Sequence, residues 1–192
     1  MENIFSSTFT KNNDFSWENL GNIKEGRKEL GENMPVLLYR MFAYSMNHIL
    51  TRDGGQDYAV DIFRRAGYLA GAEFARNILN LSADPNAFIF SLQEALLQFQ
   101  MGILRFEVFK LELGEFVLTL AEDLDCSGIS PANELVCTFD EGFFTGIIEA
   151  YTGKKYQVRE IDCWANGARV CRFHGMEIHA QTESIHTHSL ME

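Results

Sequence analysis

The stretch YQVREIDCWANGARVCRFHGMEI, residues 156–178, sets the C-terminal part of the fold. Residues 156–163 and 169–178 have the composition of two strands, and the turn at Ala165-Asn166-Gly167 contains Asn-Gly, a dipeptide typical of hairpins. The stretch therefore predicts an antiparallel hairpin. Cys163 and Cys171 lie on either side of the turn, so their thiols can converge.

The rest of the chain predicts four helices and a first hairpin. Apolar residues at intervals of three to four indicate helices over residues 34–50, 58–81, 87–101 and 134–151. Apolar runs at 103–113 and 116–120 predict a hairpin that turns at 112–115. This order is typical of an α+β fold in which N-terminal helices pack on an antiparallel sheet. Gly67 and Gly71, four residues apart on the second helix, predict the close approach of another element.

Composition favours one domain that contains no membrane span. The 192 residues are 46% hydrophobic and include 16 Phe, enough for one substantial core. We expect an N-terminal arm over 1–30, one folded domain over 31–180 and a flexible tail over 181–192. The net charge of -11 disfavours nucleic acid and anionic membranes as partners. With no signal-like start, a cytoplasmic location is expected, where thiols stay reduced and bind metals more often than they form disulfides.

Three cysteines and a glutamate have the chemistry of a metal site. Thiolates and one carboxylate can close a tetrahedral Zn2+ site, here with Cys137, Glu160, Cys163 and Cys171, and a closed site is structural. The late helix and the C-terminal hairpin would then be clipped together by the metal. Glu160 and Cys163 face opposite sides of an ideal strand, so the site requires a bulge between them. The alternatives are ordinary buried cysteines or a redox role, and Cys126 is an alternative ligand.

Several of these motifs resemble the 4-vinyl reductase domain family. The resemblance is carried by residues 137–146 and 160–173, is supported by 67–71, and extends over about 34–179. It implies a fold related to the haem-based nitric oxide sensor domain and to Golgi transport-particle subunits. In the phenol-responsive activators of this family, zinc is held at positions that match Cys137, Glu160, Cys163 and Cys171. That set leaves Cys126 outside the metal shell.

The family also implies a pocket for a hydrophobic, often aromatic, ligand between the helices and the sheet. We expect it between the second and third helices and the first hairpin, where phenylalanines would form its walls; the alternative is that these residues fill the core. The candidates are Phe63, Phe74, Phe88, Phe99, Phe106 and Phe116. The His and Trp that grip phenol in those sensors have no evident counterparts, so a larger or more apolar ligand is favoured over phenol.

The sequence favours a non-catalytic, zinc-stabilised module that binds a small hydrophobic or ring-containing ligand. It would act as a sensor or carrier, for example of a tetrapyrrole. We expect a homodimer built on the early helices, with an effector protein as a further partner. The alternative is an accessory subunit or reductase in (bacterio)chlorophyll vinyl-group reduction, or an assembly factor. A reductase is disfavoured because no nucleotide-binding glycine motif or iron–sulfur cluster motif is present.

Overall fold

The computed structural model describes residues 15–130 and 136–179. Within these ranges the helices are α1 (Ile23–Gly26), α2 (Val36–Gly54), α3 (Gln56–Ile78), α4 (Pro85–Gln98) and α5 (Thr138–Thr152). The strands are β1 (Ile103–Lys110), β2 (Glu115–Ala121), β3 (Tyr156–Asp162) and β4 (Cys171–Glu177). Residues 1–14 of the predicted arm, the predicted helix start at 134 and the predicted tail over 181–192 lie outside the described residues.

The four strands form one antiparallel sheet in the order β1-β2-β4-β3. The two hairpins lie side by side because β2 pairs with β4. Helix α4 contacts β1 and α5 contacts β3, and buried residues of both helices share one hydrophobic core with the sheet. On β4, Arg172 forms ion pairs with Glu107 of β1 and Asp162 of β3. The predicted α+β class, with helices on an antiparallel sheet, is confirmed.

The helices begin and end where local chemistry requires. Asp84 caps α4, because its Oδ1 accepts the backbone N–H groups of Asn86 and Ala87, and Pro85 occupies the first turn. Gly55 has φ +86 and separates α2 from α3, in agreement with the predicted break. None of the helices in the described ranges combines the length and the apolarity needed to cross a bilayer.

Glycines bring α3 and α5 into backbone contact. A Cβ at Gly67 would lie 2.0 Å from the carbonyl oxygen of Phe139, and one at Gly71 would lie 2.0 Å from that of Phe143. The contact is reciprocal, since a Cβ at Gly142 or Gly146 would collide with α3. We call these four residues the glycine seam. The predicted close approach is confirmed, and it lies within one chain, so the seam gives no support to a dimer.

The C-terminal hairpin carries the predicted irregularity. The β3–β4 register shifts between Glu160 and Asp162, so that Ile161 is an extra residue on β3. Both Glu160 and Cys163 are consequently buried, while Ile161 is exposed. The connection is longer than a two-residue turn: Trp164–Asn166 form a 3-10 turn, and Gly167 follows it with φ +96.

Candidate functional site

Four buried thiols from four different segments meet beside the sheet. Cys126 lies in the loop after β2, Cys137 directly precedes α5, Cys163 follows β3, and Cys171 begins β4. Each is at most 1% exposed. The Cys137 Sγ is 3.7 Å from the Sγ atoms of both Cys163 and Cys171. The remaining measured separations are 3.1 Å for Cys126–Cys171, 3.8 Å for Cys126–Cys163 and 4.0 Å for Cys163–Cys171.

The spacing of this thiol cluster fits a tetrahedral metal. Metal–sulfur bonds of about 2.3 Å in a tetrahedron place the sulfurs roughly 3.8 Å apart. Four of the five separations given above lie near that value, and all four Sγ atoms are within 4.8 Å of one another. The four cysteines are free thiols, and soft thiolates suit Zn2+. The cluster therefore has the donor set and the spacing of a closed structural site.

Glu160 lies next to the cluster but outside the group of four sulfurs. Its Oε2 accepts the backbone N–H of Cys137 at 3.1 Å, while its Oε1 is buried and has no hydrogen-bond partner among the described residues. Burial, followed by the charge of Cys163, raises the pKa of this carboxyl to about 8. The structure places Glu160 beside Cys137 and brings the Cys137, Cys163 and Cys171 thiols close together, and the ligand roles of all four residues stay predictions.

The structure places Cys126 inside the cluster, where the family resemblance had left it outside. The loop that carries it is shaped by Asp123, whose Oδ1 accepts the backbone N–H groups of Asp125 at 2.6 Å and Cys126 at 3.3 Å. Sequence spacing gave no sign of this, because the position of Cys126 depends on that turn. An Asp three residues before a Cys is a weak signal that would have suggested it.

Helix α2 holds the same loop from outside. Arg40 donates to the carbonyl oxygens of Leu124 at 2.8 Å, Ser127 at 2.9 Å and Asp123 at 3.3 Å. Tyr39 and Tyr44 both bond Asp125, the first to its carboxylate at 2.6 Å and the second to its backbone carbonyl at 2.7 Å. Because these contacts fix the loop, α2 takes part in positioning Cys126.

Two buried acids, Asp123 and Asp140, lie beside the cluster. Asp123 is 1% and Asp140 4% exposed, and in each the Oδ2 has no hydrogen-bond partner among the described residues. Burial raises the pKa of both carboxyls. Thiolates and carboxylates cannot accumulate in a dry interior without a cation or protons to compensate them. The composition of this region is therefore suited to a bound cation.

Of the six predicted ligand-binding phenylalanines, three lie in the core, two pack beside core rings and one lines a cavity. Phe88 and Phe116 are fully buried and Phe74 is 6% exposed, so these three belong to the core. The core rings contact other aromatic residues, for example Phe88 stacked on Tyr151 at 3.7 Å between centroids. The structure also brings Phe99 beside Phe74 and Phe106 beside Phe116. Phe63 lies apart from them and lines a cavity. Ligand contact by these residues stays a prediction.

That cavity, of about 450 Å3, lies between α2, α3, the loop after β2 and the start of α5. It is lined by Ala43, Tyr44, Asn47, His48, Thr51, Gln56, Val60, Phe63, Asp125, Ile129, Val136, Thr138 and Phe139. A second cavity, of about 390 Å3, lies between α3, α5 and β3, and its lining includes Arg64, Arg65 and Arg159. Neither occupies the predicted place between α3, α4 and the first hairpin.

Fold and site together define an α+β domain in which a buried four-thiol cluster ties a loop, a helix start and a hairpin. The family model of the 4-vinyl reductase domain matches residues 116–177, which run from β2 to the end of β4. This match confirms the resemblance to that family over the segment. The segment contains all four cysteines of the cluster.

A protein relative shares part of the sequence. An uncharacterised protein of Methanocaldococcus jannaschii is 36% identical over 50 residues, which is 26% of this chain. The aligned part spans 31% of that relative's length.

Solved structures share the fold at low identity. The phenol-responsive sensory domain of the transcription activator PoxR, determined with phenol, has a TM-score of 0.58 at 18% identity and covers 76% of this chain and 77% of that one. A vinyl-4-reductase family protein from M. jannaschii gives 0.55 at 16%, with coverage of 79% and 86%. Trafficking protein particle complex subunit 3 from Naegleria fowleri, covalently bound to palmitic acid, gives 0.56 at 13%, with coverage of 76% and 98%.

Proposed function

We propose that this chain is a non-catalytic, metal-stabilised module that binds a small hydrophobic or ring-containing ligand, as a sensor or carrier. The observation that carries the metal-stabilised, non-catalytic part of the proposal is the buried thiol cluster with tetrahedral spacing, in which all four positions are filled by protein. The match to the 4-vinyl reductase domain over the same segment supports it. The structural neighbour that is a phenol-responsive sensory domain favours a sensing role.

The metal of this proposal is Zn2+, and its ligands are Cys126, Cys137, Cys163 and Cys171. Bound there, the metal would supply folding free energy by joining four segments that are distant in sequence. The resemblance instead favours Glu160 as the fourth ligand. The sulfur geometry favours Cys126, because its Sγ lies among the other three while the Glu160 carboxylate accepts the Cys137 backbone N–H.

Elemental analysis of two matched variants tests both the metal and its fourth ligand. Wild-type protein purified without chelators should contain about one zinc per chain. Cys126→Ser should lose most of the zinc, whereas Glu160→Gln should keep it. Loss in Glu160→Gln alone would assign the predicted set with Glu160. A wild-type protein that folds without metal at unchanged stability would contradict the proposal.

The ligand class is tested by titration of the zinc-loaded protein. Protoporphyrin IX represents the predicted tetrapyrroles, and 2-naphthol and N-phenyl-1-naphthylamine represent smaller rings. Saturable binding of one class without chemical change supports a sensor or carrier. A failure of every class to bind, or turnover of a vinyl tetrapyrrole with NADPH by the purified chain, contradicts it.

The proposal includes assembly as a homodimer through α2. This helix exposes large apolar side chains, among them Leu37 at 68%, Met41 at 60% and Phe42 at 65%, and a second copy of the chain would bury them. Light scattering should give about twice the chain mass of 21.9 kDa, and Phe42→Glu should return the monomer. A monomeric wild type at micromolar concentration contradicts the dimer. The proposal also includes a reducing, cytoplasmic setting, since the cluster requires reduced thiols. An effector protein that receives the signal is a further part of the proposal.

A further inference from the structure

The cavity between α2, α3 and the start of α5 has the features of a ligand site. We infer that it is the ligand site of this module and that it takes a neutral aromatic molecule of one or two rings with a hydrogen-bonding group. The inference rests on the proposed ligand-binding function and specifies where and what the module binds. Its volume of about 450 Å3 falls within the range of small-molecule sites, about 300–1,000 Å3.

The walls of the cavity combine aromatic surface with a polar side. Phe63 of α3 and Phe139 of α5 supply rings, and Val60 and Val136 supply aliphatic surface. Most of the polar groups come from α2 and the start of α3, in Asn47, His48, Thr51 and Gln56. Apolar walls with a few polar groups bind a ring and fix its orientation. The arrangement therefore suits a ring that carries a hydroxyl or an amine at its edge.

The charge of the residues that line this cavity disfavours anionic ligands. The residues that line it include no Lys or Arg, and the acidic residue Asp125 is among them. The 390 Å3 cavity differs, because Arg64, Arg65 and Arg159 line it. In a chain with net charge -11, an anion near Asp125 would be repelled. Burial of a cationic ring against the apolar walls would also carry a desolvation cost, so a neutral ligand is favoured for the cavity between α2 and α3.

The cavity shares its walls with two metal-binding segments. Asp125 and Ile129 belong to the loop that carries Cys126, and Val136 and Thr138 flank Cys137. A molecule in the cavity would contact both segments and hold them together. If zinc leaves only after these two segments separate, an occupant that contacts both of them slows zinc loss in proportion to the fraction of chains that it occupies. Ligand occupancy and metal retention are therefore coupled.

Two pairs of tryptophan variants test the location. Val60→Trp and His48→Trp fill the cavity from α3 and α2, and Tyr58→Trp and Met46→Trp are matched controls on the same helices whose positions do not line the cavity. The probe is 2-naphthol, a two-ring compound with one hydroxyl that is uncharged near neutral pH, followed by its own fluorescence on zinc-loaded protein of equal metal content. The filled variants should bind about tenfold more weakly or worse, and the controls should bind like wild type.

Metal transfer to the chelator pyridylazoresorcinol tests the coupling. With the probe at about ten times its Kd, zinc loss from wild type should slow by about tenfold, and zinc loss from Val60→Trp should not change. Saturable binding that both filled variants retain would overturn this site while leaving the ligand-binding function intact. An unchanged rate of zinc loss at saturation would overturn the coupling. Binding of protoporphyrin IX without binding of any neutral aromatic would overturn this site alone, whereas a failure of every tested class to bind would overturn the proposed function itself.

Discussion

The glycine seam between α3 and α5 makes a strong prediction about stability. In Gly142→Ala, the added Cβ would lie 1.9 Å from the carbonyl oxygen of Arg64, whereas ordinary contact begins at 3.4 Å. The two helices would have to separate locally by roughly 1.5 Å to relieve this collision. The opposing atoms belong to the backbone, so a side-chain rotation cannot relieve it.

Two opposing effects set the size of the change. Overpacking costs about 1–3 kcal/mol, and occasionally more when backbone must move. Alanine stabilises a helix interior by about 1 kcal/mol relative to glycine, which offsets part of this cost. Since the backbone itself must move, we place the collision at or just above the top of that range, at about 3–4 kcal/mol, and expect a net loss of about 2–3 kcal/mol. For a domain of 150–250 residues, that lowers Tm by about 4–12 °C.

Urea unfolding followed by far-ultraviolet circular dichroism measures this loss, with Gly26→Ala as the control. A Cβ at Gly26 meets nothing within 4 Å, so this variant should stay within about 0.5 kcal/mol of wild type. The packing argument fails if Gly142→Ala proves as stable as Gly26→Ala. Gly67→Ala, Gly71→Ala and Gly146→Ala should behave like Gly142→Ala.

Three further predictions concern single side chains. Arg40→Met removes the donor to three loop carbonyls and should speed zinc transfer to a chelator, since the loop that carries Cys126 is released; an unchanged rate would contradict its anchoring role. Glu141→Gln weakens pairs with Arg64 and Arg159 and should cost about 2 kcal/mol in urea unfolding, an effect absent if the pairs are only superficial. Tyr156→Phe removes a buried hydroxyl without a partner among the described residues and should stabilise the protein by up to about 1 kcal/mol. Burial raises the pKa of Tyr156, so ionisation favours the unfolded chain and wild type should lose stability above pH about 10; equal alkaline loss in Tyr156→Phe would exclude this tyrosine as the cause.

Most of the fold could be predicted from the sequence because its elements have strong local signals. The predicted helix over residues 34–50 corresponds to α2 (Val36–Gly54), and the predicted strands match β1 to β4 within a few residues. The bulge was predicted because Glu160 and Cys163 could face the same side only if the strand was irregular, and the register shift confirms it. The spacing of apolar residues along a helix and the alternation of side chains along a strand are both visible in the sequence, so these features could be predicted.

The parts that could not be predicted depend on contacts between distant segments. Cys126 joins the cluster through a turn set by Asp123 and through the bonds of Arg40, and no spacing rule expresses either. The phenylalanine pattern does not distinguish a pocket wall from core filling, and Phe88 and Phe116 proved to be buried core residues. The cavity at α2 is lined by a mixture of polar and apolar residues, so hydrophobic periodicity does not mark it.

The extra residue in β3 determines which single-residue deletions this strand tolerates. Glu160 pairs with Phe173 and Asp162 with Arg172, so Ile161 is the residue without a partner on β4. Deleting Ile161 would leave Glu160 and Cys163 two residues apart, and in a regular strand such residues share a face. Deleting Arg159 would instead reverse the inward and outward sides of Tyr156 and Val158. We therefore expect that relatives with Glu-x-Cys and with Glu-x-x-Cys can both build this corner, whereas a one-residue gap earlier in the strand would abolish it.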